Sequence, residues 1–161
     1  MSDAPVILPL DGAAVSAAAA LETECFSDAL SADAFAAFVR ADANHYYAAL
    51  DADGNLTGYG GFCTAADEAE ILTVAVAPHA RRRGIARALM RCMLRHACAC
   101  GAETVFLEVR ASNEAARALY RSLGFTQTGI RKNYYARPKE DAVLMALRLR
   151  GTEDRNADTR N

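Results

Sequence analysis

Apolar residues along this chain follow two rhythms, and their alternation sketches the fold. Val6 to Leu10 reads as a first strand, followed by an alanine-rich helix through about Leu21. Ser31 is a polar N-cap for a second helix that carries Phe35, Phe38 and Val39 on one face. His45 to Leu50 and Leu56 to Thr64 flank Asp51-Ala52-Asp53-Gly54-Asn55, the composition of a hairpin turn. Glu70 to Val76 follows as a β-branched strand. Then the period changes. Ala86, Leu89, Met90, Met93, Leu94 and Ala97 form one stripe of a long helix that Gly101 closes. In Thr104 to Arg110, Val105, Leu107 and Val109 share one face while Phe106 and Glu108 share the other. Ser112 or Asn113 caps a further helix with Ala116, Leu119, Tyr120 and Leu123 along one side and Gly124 at its end. Strands from about Thr126 to Arg131 and from Asp141 to Leu149 complete the pattern.

An antiparallel run followed by strand–helix–strand–helix predicts a mixed α/β sheet. The chain has 161 residues, 52% of them hydrophobic, enough for one domain with its own core. That domain is expected over residues 1–150. Residues 151–161 contain no large apolar side chain and are expected to be a disordered tail. A net charge of −2 gives no general reason to expect nucleic acid or membrane as partner. No apolar run approaches the roughly 18 residues of a bilayer span, and Met1 to Pro5 does not resemble a secretory leader. Five cysteines without framework spacing suit a reducing, cytoplasmic setting.

The candidate chemistry starts where Pro78 stops a strand. Between Val76 and the long helix lies Ala77-Pro78-His79-Ala80-Arg81-Arg82-Arg83-Gly84-Ile85-Ala86. Gly84 and Ala86 keep side chains small where the helix begins, leaving backbone N–H groups open to an anion at the positive end of the helix dipole. Three arginines add charge and paired donors suited to phosphate oxygens. On charge alone a solvated basic loop is an equal reading; nucleic-acid binding has less support, because no aromatic residues interleave the run. Cys92, His96 and Cys100 fall in one row of the helix, but structural zinc spacing is absent and no metal is expected.

Arg81-x-x-Gly84-x-Ala86, with Leu72 to Pro78 before it, resembles the pyrophosphate motif of the GNAT acetyltransferase superfamily. Leu107-Glu108-Val109-Arg110-Ala111-Ser112-Asn113 and the Ala116…Leu119-Tyr120…Gly124-Phe125 that follows are similar to RimI-type enzymes, which acetylate the N-terminal alanine of a ribosomal protein. Arg131 to Tyr135 and Glu140 to Met145 also resemble that group. The resemblance implies a GNAT fold: a mostly antiparallel sheet of six to seven strands, about four flanking helices, and a splayed strand pair at the cofactor site. It implies acetyl-CoA as co-substrate, with Arg81, Arg82, Arg83, Gly84, Ile85 and Ala86 around the pyrophosphate, Val74, Ala75 and Val76 along the pantetheine arm, and Asn113 touching that arm.

The resemblance further assigns Glu108 as general base and Tyr120 as general acid. From spacing alone, the default reading of Glu108 is a strand-end carboxylate paired with a surface arginine, and that of Tyr120 a core tyrosine. An α-amine titrates near about 8 and a lysine near about 10.4, so a carboxylate base deprotonates an α-amine more easily. The implied partner is a protein with a free N-terminal amine, the alanine of small-subunit ribosomal protein eighteen, and the implied assembly is a monomer or weak homo-oligomer. RimI-type enzymes carry Pro-Trp-Ser where this chain has Ala29-Leu30-Ser31, and the chain has no tryptophan. Two alternatives therefore stand beside the ribosomal acceptor: another amine (lysine, polyamine or small molecule), or a CoA-binding module without turnover.

Overall fold

A computed structural model describes residues 4–149; the expected tail at 151–161 lies outside the described residues. Among these, seven strands hydrogen-bond in the order β1-β2-β3-β4-β5-β7-β6, and four α-helices accompany them. The β1–β2, β2–β3, β5–β7 and β6–β7 ladders are antiparallel and β4–β5 is parallel, which is the mixed, mostly antiparallel sheet expected. No described helix is long and apolar enough to cross a membrane. By packing, the described residues fall into two compact units: residues 4–63 with Ile71–Arg95, and Thr64–Glu70 with residues 96–149.

The first unit holds β1 (Val6–Pro9), α1 (Gly12–Cys25), α2 (Ala32–Arg40), β2 (Asn44–Leu50), most of β3 (Leu56–Ala65), the later part of β4 (Glu68–Val76) and most of α3 (Ile85–Ala99). Ser31 caps α2 as predicted, its hydroxyl accepting from the Ala34 N–H at 3.2 Å. The α3 stripe is also borne out, with Leu89, Met90 and Met93 fully buried. Phe35 meets Tyr59 and Tyr46 edge-on, with ring centroids 5.3 and 6.0 Å apart. The helix lies close over β3 because glycines there leave room: a Cβ on Gly58 would stand 3.2 Å from Ile85 Cγ2 and 2.8 Å from the Ala75 carbonyl oxygen, and one on Gly60 would stand 2.8 Å from Met93 Cε.

The second unit holds the start of β4, β5 (Thr104–Arg110), α4 (Glu114–Ser122), β6 (Thr126–Ala136) and β7 (Lys139–Arg148). β5 has the bounds and the alternation the sequence predicts: Val105, Leu107 and Val109 are buried, while Glu108 on the opposite face is half-buried. The parallel β4–β5 ladder registers Glu68, Ala69 and Glu70 against Thr104, Val105 and Phe106; β4 runs on to Val76 and β5 to Arg110.

Two boundaries move by more than two residues from expectation. α1 continues past Leu21 to Cys25 because Glu22 points inward, where it is 7% exposed and its carboxylate accepts from the Leu30 N–H at 2.9 Å. Burial pushes this carboxyl above its ordinary range, the Leu30 N–H and Tyr59 hydroxyl pulling the other way. β6 does not stop at Arg131 but runs to Ala136, interrupted by a register shift between Arg131 and Tyr135.

Candidate functional site

The basic loop is shaped by backbone before charge. After β4, Pro78–Ala80 makes one 3₁₀ turn, and the Ala77 N–H is held by the Thr57 carbonyl at 2.8 Å. Arg82 and Gly84 both take positive φ, +65° and +77°. Gly84 is the position where this matters most: no heavy atom lies within 4 Å of the Cβ it lacks, so the start of α3 is sterically open. The Ala88 N–H bonds to the Gly84 carbonyl at 3.0 Å, and the N–H groups before it have no carbonyl one turn back to reach. The first turn of α3 carries no acidic residue that would compete for them. These features fit a pyrophosphate: open N–H donors, an uncompensated dipole and exposed arginines.

The three arginines divide their work. Arg81 turns back, its Nε donating to the Val76 carbonyl at 3.1 Å and its Nη2 lying 3.8 Å from Cys25 Sγ. The same carbonyl receives the Cys25 thiol at 3.8 Å. Arg81 thus ties loop, strand end and helix end together. Arg82 is exposed, and Arg83 borders a cavity of about 480 Å³ with Asp51, Asp53, Thr57, His79 and Ile85. On β4, Val74 and Val76 are half-buried and Ala75 buried. Because Ala77 bonds toward β3, strand alternation turns the peptide groups of Val74 and Val76 to the opposite edge of β4.

In the second unit, Glu108 is the focus. Arg131 Nη1 lies 3.0 Å from its Oε1, and the Tyr134 phenol lies near enough for the carboxylate to raise its hydroxyl above the ordinary range. The Arg131 guanidinium also sits 5.1 Å from the centre of the Tyr134 ring. The arginine partner anticipated from spacing is therefore present, and it shares the carboxylate with a phenol.

Tyr120, on α4, is 9% exposed and lies 5.9 Å from the Phe125 ring. Burial, with Tyr135 adding to it, pushes its hydroxyl up to about 12. The group stays protonated through the neutral range, as a proton donor must. The same shift has a stability consequence. The folded value lies above the ordinary one of about 10, so the contribution is full below pH 10 and is lost as pH rises through 12. A two-unit shift corresponds to about 2–3 kcal/mol. We expect the urea midpoint to fall between pH 10 and 12, and to fall less in Tyr120→Phe.

Asn113 caps α4, its Oδ1 accepting from the Ala116 N–H at 3.2 Å. Beside it, Arg110 bonds Glu140 at 3.4 Å, donates to the Pro138 and Arg137 carbonyls, and lies 4.2 Å from the centre of the Tyr135 ring. Glu140 also accepts from the Ser112 N–H. The Leu107-to-Asn113 stretch is in this way bound to the turn between β6 and β7. Sequence reading places Glu108 and Tyr120 but gives no role to Glu22, Arg131 or Asp141; the runs containing Arg131 and Asp141 stand out in the sequence only by family resemblance. Cys92 and His96, on α3, are half-buried, and Cys100, just past its end, is exposed.

Residues 15–125 match the family described as Acetyltransferase (GNAT) family. A [ribosomal protein bS18]-alanine N-acetyltransferase from Salmonella typhimurium is 44% identical over 100 residues, 61% of this chain and 68% of its own length. One of the same description from Escherichia coli K12 is 48% identical over 83 residues, 50% of this chain and 56% of its own length. The alignments thus span between about half and two-thirds of these relatives. The crystal structure of the ribosomal-protein-S18-alanine N-acetyltransferase from Escherichia coli superposes with a TM-score of 0.82 at 32% identity, covering 92% of this chain and 97% of that one. Motif, sequence and fold agree: this chain belongs to the Acetyltransferase (GNAT) family.

Proposed function

We propose that this chain transfers the acetyl group of acetyl-CoA to the N-terminal α-amine of a protein in the cytoplasm, and that its acceptor is the N-terminal alanine of ribosomal protein bS18. The observation that carries the reading is Glu108: a half-buried carboxylate on the polar face of β5, paired with Arg131 beside Tyr134, in a stretch whose motif resembles RimI-type enzymes. Acetyl-CoA supplies the acetyl group as a thioester. In this reading the open start of α3, with Arg82 and Arg83, receives the pyrophosphate, the edge of β4 at Val74 to Val76 receives the pantetheine arm, and Asn113 keeps the cofactor-arm role that family resemblance gives it. Arg81 acts on the loop itself, by fixing it to Val76.

Glu108 takes the proton that the acceptor ammonium must lose, directly or through a water. The amine nitrogen forms its bond to the acetyl carbon, the carbon–sulfur bond breaks, and Tyr120 gives its proton to the departing sulfur; the second proton, shed by the nitrogen as the amide forms, returns through solvent to the Tyr120 phenolate. Both groups must be in these states at once: Glu108 ionised and Tyr120 protonated.

A second reading, transfer to a lysine, polyamine or small-molecule amine, is favoured by the α1–α2 segment, where Glu22 holds Leu30 and the Pro-Trp of RimI-type enzymes is missing. Acetyl transfer to a peptide beginning Ala-Arg-Tyr-Phe separates the two, run beside the same peptide with its α-amine blocked and a lysine added. Incorporation on the free α-amine alone, abolished in Tyr120→Phe, is the expected result. Transfer to the lysine instead would replace the first reading by the second.

A further inference from the structure

β6 carries an irregularity that the β6–β7 register makes explicit. Arg131 pairs with Ala142 and Tyr135 with Glu140, so Lys132, Asn133 and Tyr134 all lie opposite the single residue Asp141. In an unbroken strand, Arg131 and Tyr134 are an odd number of residues apart and would point to opposite faces. Here both face the same carboxylate: Arg131 Nη1 lies 3.0 Å from Glu108 Oε1, its guanidinium sits 5.1 Å from the centre of the Tyr134 ring, and the Glu108 carboxylate raises the Tyr134 hydroxyl. The bulge is held at its centre. Asn133 adopts φ +54°, a conformation asparagine tolerates better than most residues. Its N–H donates to Asp141 Oδ1 at 2.8 Å, while the Asp141 backbone carbonyl accepts from the Ala111 N–H at 3.1 Å, on the β5 side.

We propose that Asp141 is a positioning residue for the reaction: by holding the Asn133 N–H it fixes the β6 bulge that brings Arg131 and Tyr134 together on Glu108, so orienting the base toward the acceptor amine. The inference rests on the reading of Glu108 as base. It differs from a general structural role because what Asp141 sets is the company of one carboxylate. A bulge that re-aims side chains is a frequent device beside active sites, and small misplacements at a reacting group are amplified in rate.

The experiment compares Asp141→Ala, which removes the acceptor for the Asn133 N–H, with Asp141→Asn, whose amide oxygen still accepts it. One readout is kinetic: kcat/KM for the acceptor peptide against KM for acetyl-CoA. The other needs no turnover. Tyr134 titrates above its ordinary value, first through the neighbouring Glu108 carboxylate, then through burial, with Arg131 lowering it and Glu70 raising it. Tyrosine labelled at Cζ, assigned with Tyr134→Phe, reports that proximity by NMR.

In Asp141→Ala, kcat/KM for the peptide is expected to fall about 10- to 100-fold with the KM for acetyl-CoA unchanged, and Tyr134 to titrate closer to about 10. Asp141→Asn is expected to keep both readouts near the parent. If Asp141→Ala does not fold, Asn133→Val carries the test: it keeps the N–H but resists positive φ, and should reproduce the loss, while Asn133→Gly should not. An unmoved Tyr134 titration in Asp141→Ala or Asn133→Val overturns the proposal, as does an Asp141→Asn variant as impaired as Asp141→Ala. Full turnover in Glu108→Gln overturns the base reading instead, and is told apart from failure of the bulge because the Tyr134 signal is read without catalysis.

Discussion

Glu108→Gln is expected to lower kcat for the alanine peptide by about 10²- to 10⁴-fold at pH 7, the range a positioned general base contributes. Glutamine keeps the size and the planar end of the side chain, so Arg131 and Tyr134 still have an oxygen to meet, and only the capacity to accept a proton is gone. The KM for acetyl-CoA should be unchanged, since the proposed pyrophosphate site at the start of α3 is made by other residues. The defect should also shrink on the alkaline side. An α-amine titrates near about 8, so at pH 9 most of the acceptor arrives already neutral and the base has less to do. A defect of equal size at pH 7 and pH 9 would show that Glu108 acts in some other way.

Phe35→Ala should have the largest effect on stability. Phe35 is 1% exposed, and its ring meets Tyr59 and Tyr46 edge-on from α2. Removing a buried phenylalanine costs about 3–5 kcal/mol, and here two favourable aromatic contacts of about 0.5–1.5 kcal/mol each lie within that total. Against a typical stability of about 5–15 kcal/mol, the urea midpoint should drop by about 2 M, from a slope of about 1–3 kcal/mol per M. Phe35→Leu, which refills much of the space, should recover more than half of the loss. Equal midpoints for the alanine variant and the parent would mean that α2 contributes little to the cooperative core.

What could be read from the sequence was what depends on near neighbours. The α3 stripe, the alternation in β5 and the Ser31 and Asn113 caps follow from periods of two and 3.6 and from side chains that bond within a turn of themselves. The motif residues Arg81, Gly84, Glu108 and Tyr120 could be placed on their elements for the same reason. What was missed depends on partners far along the chain. Glu22 looked like the polar end of a helix, yet it is buried against the backbone of Leu30. Arg81 looked like one more phosphate ligand, yet its guanidinium is turned to Val76 and Cys25. Arg131 marked the end of a strand, because no local pattern shows that Asp141 will hold the Asn133 N–H and carry β6 through a bulge. Each is a polar contact between segments, and polar residues carry no periodic signal.

The glycines of β3 give the anion site a dependence that no contact map of a bound ligand would reveal. Ile85 opens α3, and a Cβ on Gly58 would stand 3.2 Å from its Cγ2 and 2.8 Å from the Ala75 carbonyl oxygen; one on Gly60 would stand 2.8 Å from Met93 Cε. The close approach of the helix to the sheet, and with it the direction of its open N–H groups, depends in part on side chains these glycines lack. Added bulk there would lift the rim of the phosphate site from beneath. If the start of α3 receives the proposed pyrophosphate, Gly58 and Gly60 shape that site by what they leave out.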